Sequence, residues 1–159
     1  MKIGVIADTH SNQVSPKIFS AFKGVEFIVH AGDFCSLKDL KSFEKVARVE
    51  GVVGNMDDEG IRKKFSEKII FSFKGFQIGV YHGRGTSANV LKSVQDEFKG
   101  DKVDAVIFGH SHLPFNETIK GVLYFNPGSA TDVVFSPYLS YGFLEVKNGK
   151  LVGKIVKVN

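Results

Sequence analysis

The opening stretch MKIGVIADTH, Met1 to His10, decides the fold: a short apolar run stops abruptly on side chains able to bind a metal. Met1 to Ala7 has the length of a buried strand, and Asp8 and His10 follow it with one residue between them. The pattern then repeats. Phe27 to Val29 leads into His30, Ala31, Gly32 and Asp33, and Val46 to Val53 leads into Gly54 and Asn55. Phe76 to Tyr81 leads into His82 and Gly83, and Ala105 to Phe108 into Gly109, His110, Ser111 and His112. In open α/β sheets the ligand crevice lies beyond the carboxyl ends of the strands. Side chains distant in sequence are therefore expected to converge there.

Between these runs lie helix signals. Ser15 and Pro16 supply an N-cap and a first helical residue, followed by Ile18, Phe19 and Phe22 at helical spacing. Ser36 caps a segment carrying Leu37, Leu40 and Phe43, and Val90, Leu91, Val94 and Phe98 mark one face of a helix over 88–98. Hairpins are expected at Lys74-Gly75, Lys120-Gly121 and Asn148-Gly149, the last between strands in Tyr141 to Val158. The fold class that accommodates early βαβ units and late hairpins is α/β, with two packed mixed β-sheets flanked by helices. A hydrophobic content of 43% with fifteen Phe suffices for one core, so residues 1–159 are read as a single domain.

Bulk properties exclude more than they select. No apolar stretch is long enough to cross a bilayer, and the first residues form a strand pattern where a secretory leader would carry charge. Cys35 is the single cysteine, which precludes an intramolecular disulfide. A cytoplasmic, non-membrane protein is expected. The net charge of +4 favours anionic partners such as phosphate esters. Its densest cluster, Arg62-Lys63-Lys64, is read as the solvated face of a short helix, because no aromatic residues interleave with it as a nucleic-acid site requires.

The residues after the strands form a donor set: Asp8, His10, Asp33, Asn55, His82, His110 and His112. Imidazole suits transition metals, whereas carboxylate and amide oxygens suit harder cations. The mixture favours Mn, Fe, Zn, Co or Ni over Mg or Ca. Seven donors are too many for one such ion, and two ions sharing a carboxylate are a recurring device in phosphoryl chemistry. His30 is read as a hydrogen-bonded support, and Cys35 as a small buried residue outside the site.

These five ordered motifs resemble those of the calcineurin-like metallophosphoesterases, and the length and spacing resemble the compact YfcE-type phosphodiesterase branch. The likeness extends through the loop Asn126-Pro127-Gly128-Ser129. It implies a phosphoric ester hydrolase, most simply a phosphodiesterase, in which a hydroxide bridging two divalent ions attacks phosphorus. Manganese is the first choice, with Ni, Co, Fe or Zn as alternatives. By this resemblance Asp8, His10, Asp33 and His112 hold one ion, and Asp33, Asn55, His82 and His110 hold the other. Asp33 and Asn55 thereby become catalytic residues, and the implied partner is a small phosphate-ester substrate.

Two positions depart from the family pattern. Met56 stands where many members have a proton-donating His, which leaves that role vacant and the role of Asp57 open. Arg84 stands where compact members frequently have His. Arg84 is read either as a clamp on a phosphoryl oxygen or as an exposed loop residue, and Gly83 beside it as a backbone contact to substrate. The segment Gly83-Arg84-Gly85-Thr86-Ser87-Ala88 imitates a dinucleotide fingerprint, but Asp101 and Asp104 precede the next strand and no acidic residue ends it. Two rival functions are a non-catalytic, retromer-subunit-like scaffold and a nuclease. Complete donor positions argue against the scaffold, and dispersed basic residues argue against a nucleic-acid partner.

Overall fold

A computed structural model describes all of residues 1–159. In chain order the elements are β1 (Lys2–Ile6), α1 (Pro16–Ala21), β2 (Ile28–His30), α2 (Leu37–Glu44), β3 (Val49–Gly51), α3 (Glu59–Lys64) and β4 (Lys68–Phe73). They continue with β5 (Phe76–Tyr81), α4 (Val90–Glu97), β6 (Ala105–Ile107), β7 (Phe115–Ile119), β8 (Val122–Asn126), β9 (Ser140–Lys147) and β10 (Lys150–Lys157).

The strands form two five-stranded mixed sheets, ordered β10-β9-β1-β2-β3 and β4-β5-β6-β8-β7. Within the first, β1, β2 and β3 are parallel and the β9–β10 hairpin closes one side; within the second, β5, β6 and β8 are parallel. The side-chain period of a strand explains the layering. Ile3 and Val5 of β1 point into a core shared with Ile78, Val80, Ile107 and Phe125 of the other sheet. Ile6 points the other way, onto Ile18 and Phe22 of the α1 region. Both faces of β1 are covered, which is why its sequence is an unbroken apolar run. On the outer face of the second sheet, Val90, Val94 and Phe98 pack on Val106, Phe108 and Tyr124.

Local chemistry sets the ends of the elements. Ser15, Ser36 and Asp58 cap α1, α2 and α3, their side chains accepting the N–H of Lys17, Asp39 and Ile61. The three expected hairpin turns have both residues at positive φ, for example Asn148 at 50° and Gly149 at 72°. That is the backbone of a type I′ turn, whose twist matches the paired strands.

Two elements are shorter than the apolar pattern indicated. The strand read over Val46 to Val53 contracts to β3, because Val46 and Ala47 still bond back to the carbonyl of Phe43 at the end of α2. Helix α4 starts at Val90, two residues late, and its N-cap Asn89 makes no side-chain bond. The Arg62-Lys63-Lys64 cluster is exposed on α3 as expected. Arg62 nevertheless turns back to donate to the carbonyls of Asp57, Gly54 and Asn55. No helix is long and apolar enough to cross a membrane.

Candidate metal centre

All seven donor residues read from the sequence meet where the carboxyl ends of β1, β2, β5 and β6 and the loop after β3 converge. Asp33 Oδ2 lies 3.2 Å from His82 Nε2 and 3.7 Å from His10 Nε2. Asp8 Oδ1 lies 3.6 Å from His112 Nε2, 3.8 Å from His82 Nε2 and 3.9 Å from His10 Nε2. Asn55 Oδ1 completes the group, 3.0 Å from His82 Nε2 and 3.1 Å from His110 Nδ1. Two triplets are close enough to surround a cation: Asp8 with His10 and His112, and Asp8 with Asp33 and His82. Asp8 is thus as central as Asp33.

The outward nitrogens of the histidines fix which nitrogen faces inward. His82 Nδ1–H donates to the Ala31 carbonyl at 2.7 Å, and His110 Nε2–H donates to the Gly85 carbonyl at 2.7 Å. His112 Nδ1–H donates to Asp132 Oδ2 at 2.5 Å. Each bond leaves the opposite nitrogen facing the cluster, where it can bind a cation once it is free of its proton. Ring nitrogens, two carboxylates and an amide oxygen directed at each other within 4 Å need positive charge among them, which protons supply in part and divalent cations supply more fully. The donor set therefore fits divalent metal ions.

The backbone is bent to build this cluster. Asp8, His10, Asp33, His110 and His112 all have φ between 48° and 70°. For residues with a Cβ this left-handed region costs about 1–3 kcal/mol each and persists only where the surroundings enforce it. Hydrogen bonds supply that enforcement. Both Asp8 carboxylate oxygens accept the His110 N–H, and Ser129 Oγ–H donates to the Asp8 carbonyl at 2.8 Å. Asp33 Oδ1 accepts the Met56 N–H at 2.7 Å, which leaves Oδ2 to face the histidines. A Cβ on Gly54 would stand 2.1 Å from Asp33 Oδ1, so only glycine admits that carboxylate.

Asp57 has a structural task. Its Oδ2 accepts the N–H of Asp33 at 3.0 Å and of Gly54 at 2.7 Å, and its Oδ1 accepts the N–H of Cys35 at 2.8 Å. Both oxygens are committed to tying the β2 and β3 loops together. The side chain is not available to orient a ring at position 56.

Burial and charge shape the titration of the group. Burial lifts the Asp8 carboxyl to about 6. Burial also opposes charge on Asp33 and His82, but their mutual hydrogen bond and ion pairing prevail. Asp33 is held below its ordinary value and His82 is pushed up to about 9. His10 is lowered chiefly by burial. Burial takes His30 down to about 3, a neutral ring that stacks on Phe34 and bonds Thr9 Oγ1 through Nε2 at 3.1 Å. It supports the Asp8-Thr9-His10 turn from behind, as the sequence suggested. Cys35 Sγ lies 4.0 Å from His10 Nδ1, and burial together with the Asp33 and Asp57 carboxylates raises its thiol to about 11, keeping it protonated.

Arg84 and Gly83 line a cavity beside the donors, together with Asn55, Arg62, Tyr81 and His82. The glycine at 83 answers chiefly to packing, since a Cβ there would meet Val90 Cγ2 at 2.5 Å. Sequence reasoning missed Asp132. The available signal was indirect: a ligating His needs an acceptor for its outer N–H, and Asp132 closely follows the Asn126-Pro127-Gly128-Ser129 loop.

A two-sheet α/β fold that gathers Asp, Asn and His donors at its strand ends is suited to holding divalent metal ions. The chain belongs to the calcineurin-like phosphoesterase superfamily, whose domain matches residues 1–149. A probable metallophosphoesterase of Methanothermobacter thermautotrophicus is 36% identical, covering 82% of this chain and 78% of its own. The structure of an archaeal phosphodiesterase superposes with a TM-score of 0.78 at 27% identity, covering 98% of this chain and all of the other. Chaetomium thermophilum Vps29 shares the fold with a TM-score of 0.80 at 17% identity, covering 99% and 95% of the two chains.

Proposed function

We propose that the chain is a metal-dependent phosphodiesterase acting on a small phosphate ester, built as one domain over residues 1–159. The observation that carries this reading is the inward orientation of the complete donor set, with outer nitrogens tied to Ala31, Gly85 and Asp132. Asp8, His10, Asp33 and His112 would hold one ion, and Asp33, Asn55, His82 and His110 a second. Divalent ions in such a site acidify water and neutralise charge on phosphoryl oxygens. Manganese is the expected metal.

The remaining work falls to the chain's own side chains. Asp33, anchored through Oδ1, presents a single oxygen to both halves of the cluster. Asn55 reaches from the β3 loop to the His82 and His110 side. Arg84, exposed at the rim of the adjoining cavity, supplies a cation for a phosphoryl oxygen. Met56 is 58% exposed and offers no proton to a leaving group.

The fold shared with Vps29 supports a scaffold as the second reading. Metal-depleted protein assayed on bis(4-nitrophenyl) phosphate separates the two. Mn, Co or Ni is expected to restore hydrolysis and Ca to restore little, because calcium prefers more numerous, all-oxygen ligands. Full activity in protein shown to be metal-free, or none in protein shown to hold its metals, would sink the proposal.

A further inference from the structure

Val133, Val134 and Phe135 stand in succession on the surface, 79%, 74% and 76% exposed. Three consecutive exposed apolar side chains are uncommon unless they serve a contact. The run is held in place. Asp132 Oδ1 accepts the N–H of Val134 at 2.8 Å and of Phe135 at 3.1 Å, while its Oδ2 holds His112. Ser136 Oγ–H donates to the His112 carbonyl at 3.1 Å, and Thr131 Oγ1–H donates to the Thr9 carbonyl at 3.0 Å. One carboxylate thus ties the apolar run to a histidine of the metal centre.

This run walls an open cavity of about 500 Å³ whose other lining includes His10, Asn12 and His112. On the Asn55 and His82 side lies a separate cavity of about 260 Å³, bordered by Arg62 and Arg84 with one carboxylate, Glu67. The centre therefore has an apolar flank and a cationic flank. A phosphodiester carrying one aromatic substituent matches that asymmetry: its charge is drawn to the metals and Arg84, and its ring to the side chains opposite. The cavity is roomy enough for a phenyl ring or a nucleobase, and Phe135 offers a ring face for offset stacking.

We propose that Val133, Val134 and Phe135 seat an aromatic group of the substrate, so that the preferred phosphodiesters bear an aryl or nucleobase moiety. This rests on the phosphodiesterase reading and adds its substrate class. Continuity of the cavity with His10 and His112 favours a substrate group over a second protein as the occupant.

The test uses phenylphosphonate and methylphosphonate, which cannot be hydrolysed as esters and differ by the ring alone. Their inhibition constants are measured on the manganese-loaded protein with bis(4-nitrophenyl) phosphate as reporter substrate. The parent should bind phenylphosphonate about tenfold more tightly, the yield expected of burying one ring face. Phe135→Ser should remove most of that preference and leave methylphosphonate unchanged. In a second, activity-free readout, phenylphosphonate should shift the methyl resonances of Val133 and Val134, and methylphosphonate should not. Undiminished preference in Phe135→Ser overturns the seat while the phosphodiesterase reading survives. A triple serine variant that keeps both inhibition constants but loses self-association in sedimentation overturns it too, in favour of a contact between copies. Metal-loaded protein that cleaves no diester removes both readings together.

Discussion

Asp132 Oδ2 stands 2.5 Å from His112 Nδ1, and this contact joins a surface loop to the interior of the metal centre. His112 can present Nε2 to the cluster because Asp132 accepts the proton on the other nitrogen. Burial opposes the Asp132 charge, yet the His112 bond and the Val134 and Phe135 N–H groups hold its carboxyl below the ordinary range.

Replacing Asp132 with Ala should therefore weaken metal binding without unfolding the chain. Partners of this kind typically contribute about 10–100-fold to affinity. Competition against a chelating dye should show that loss for one class of ion, with the circular dichroism spectrum intact. Unchanged affinity would show that His112 is held well enough by its own turn.

Asp57 makes a contrasting prediction, because its effect should be on stability. Asp57→Ala leaves the N–H groups of Asp33, Cys35 and Gly54 without their acceptor. An unsatisfied buried donor costs about 1–3 kcal/mol, and water entering the gap offsets part of the sum. A loss of about 3 kcal/mol is expected in the urea unfolding of metal-free protein. Asp57→Asn, which can still accept through its amide oxygen, should lose less.

The bridge is tested by counting ions. Asp33→Ala should lose bound metal of both classes, whereas His112→Ala should mainly weaken one. Asp8 Oδ1 lies within 4 Å of His10, His82 and His112, so Asp8→Ala should empty the site it shares with His10 and His112 and also disturb the neighbouring one through His82, an effect between those of His112→Ala and Asp33→Ala. Elemental analysis of dialysed, folded protein decides the order. Two tightly held ions in Asp33→Ala would exclude it as the shared ligand.

The convergence of the seven candidate donors was legible because each follows an apolar run read as a strand, and the ends of neighbouring strands lie together. Asp8, Asp33, His82 and His110 needed only that rule. Strand order was not legible, since β6 pairs directly with β8 while β7, which lies between them in sequence, goes to the sheet edge, and local pattern carries no trace of that choice. The start of β3 was misjudged because Val46 and Ala47 are apolar for packing against α1 and α2, and apolar character alone does not separate a helix end from a strand. Asp57 and Asp132 were opaque for another reason. Their partners are backbone N–H groups and a ring nitrogen brought near only by folding, so no spacing in the sequence announces them.

Met56 carries the last prediction. Its backbone N–H serves Asp33, while its exposed thioether has no proton to give. Departure of an alkoxide must then proceed without a side-chain acid at this position, so the rate should fall steeply as the leaving group becomes less acidic. A series of aryl and alkyl diesters, measured where chemistry limits the rate, should show activated aryl esters cleaved far faster. Met56→His keeps the backbone contact to Asp33 and adds a donor, which should help the poorest leaving groups most. Well-placed general acids contribute about 10²-fold or more. The gain here should stay below that, because both Asp57 oxygens are engaged by backbone N–H groups and cannot fix the new ring. A flat dependence in the parent would mean that another group already donates the proton. A full hundredfold rescue in Met56→His would mean that the ring finds an orienting partner other than Asp57, or that Asp57 gives up its backbone bonds to provide one.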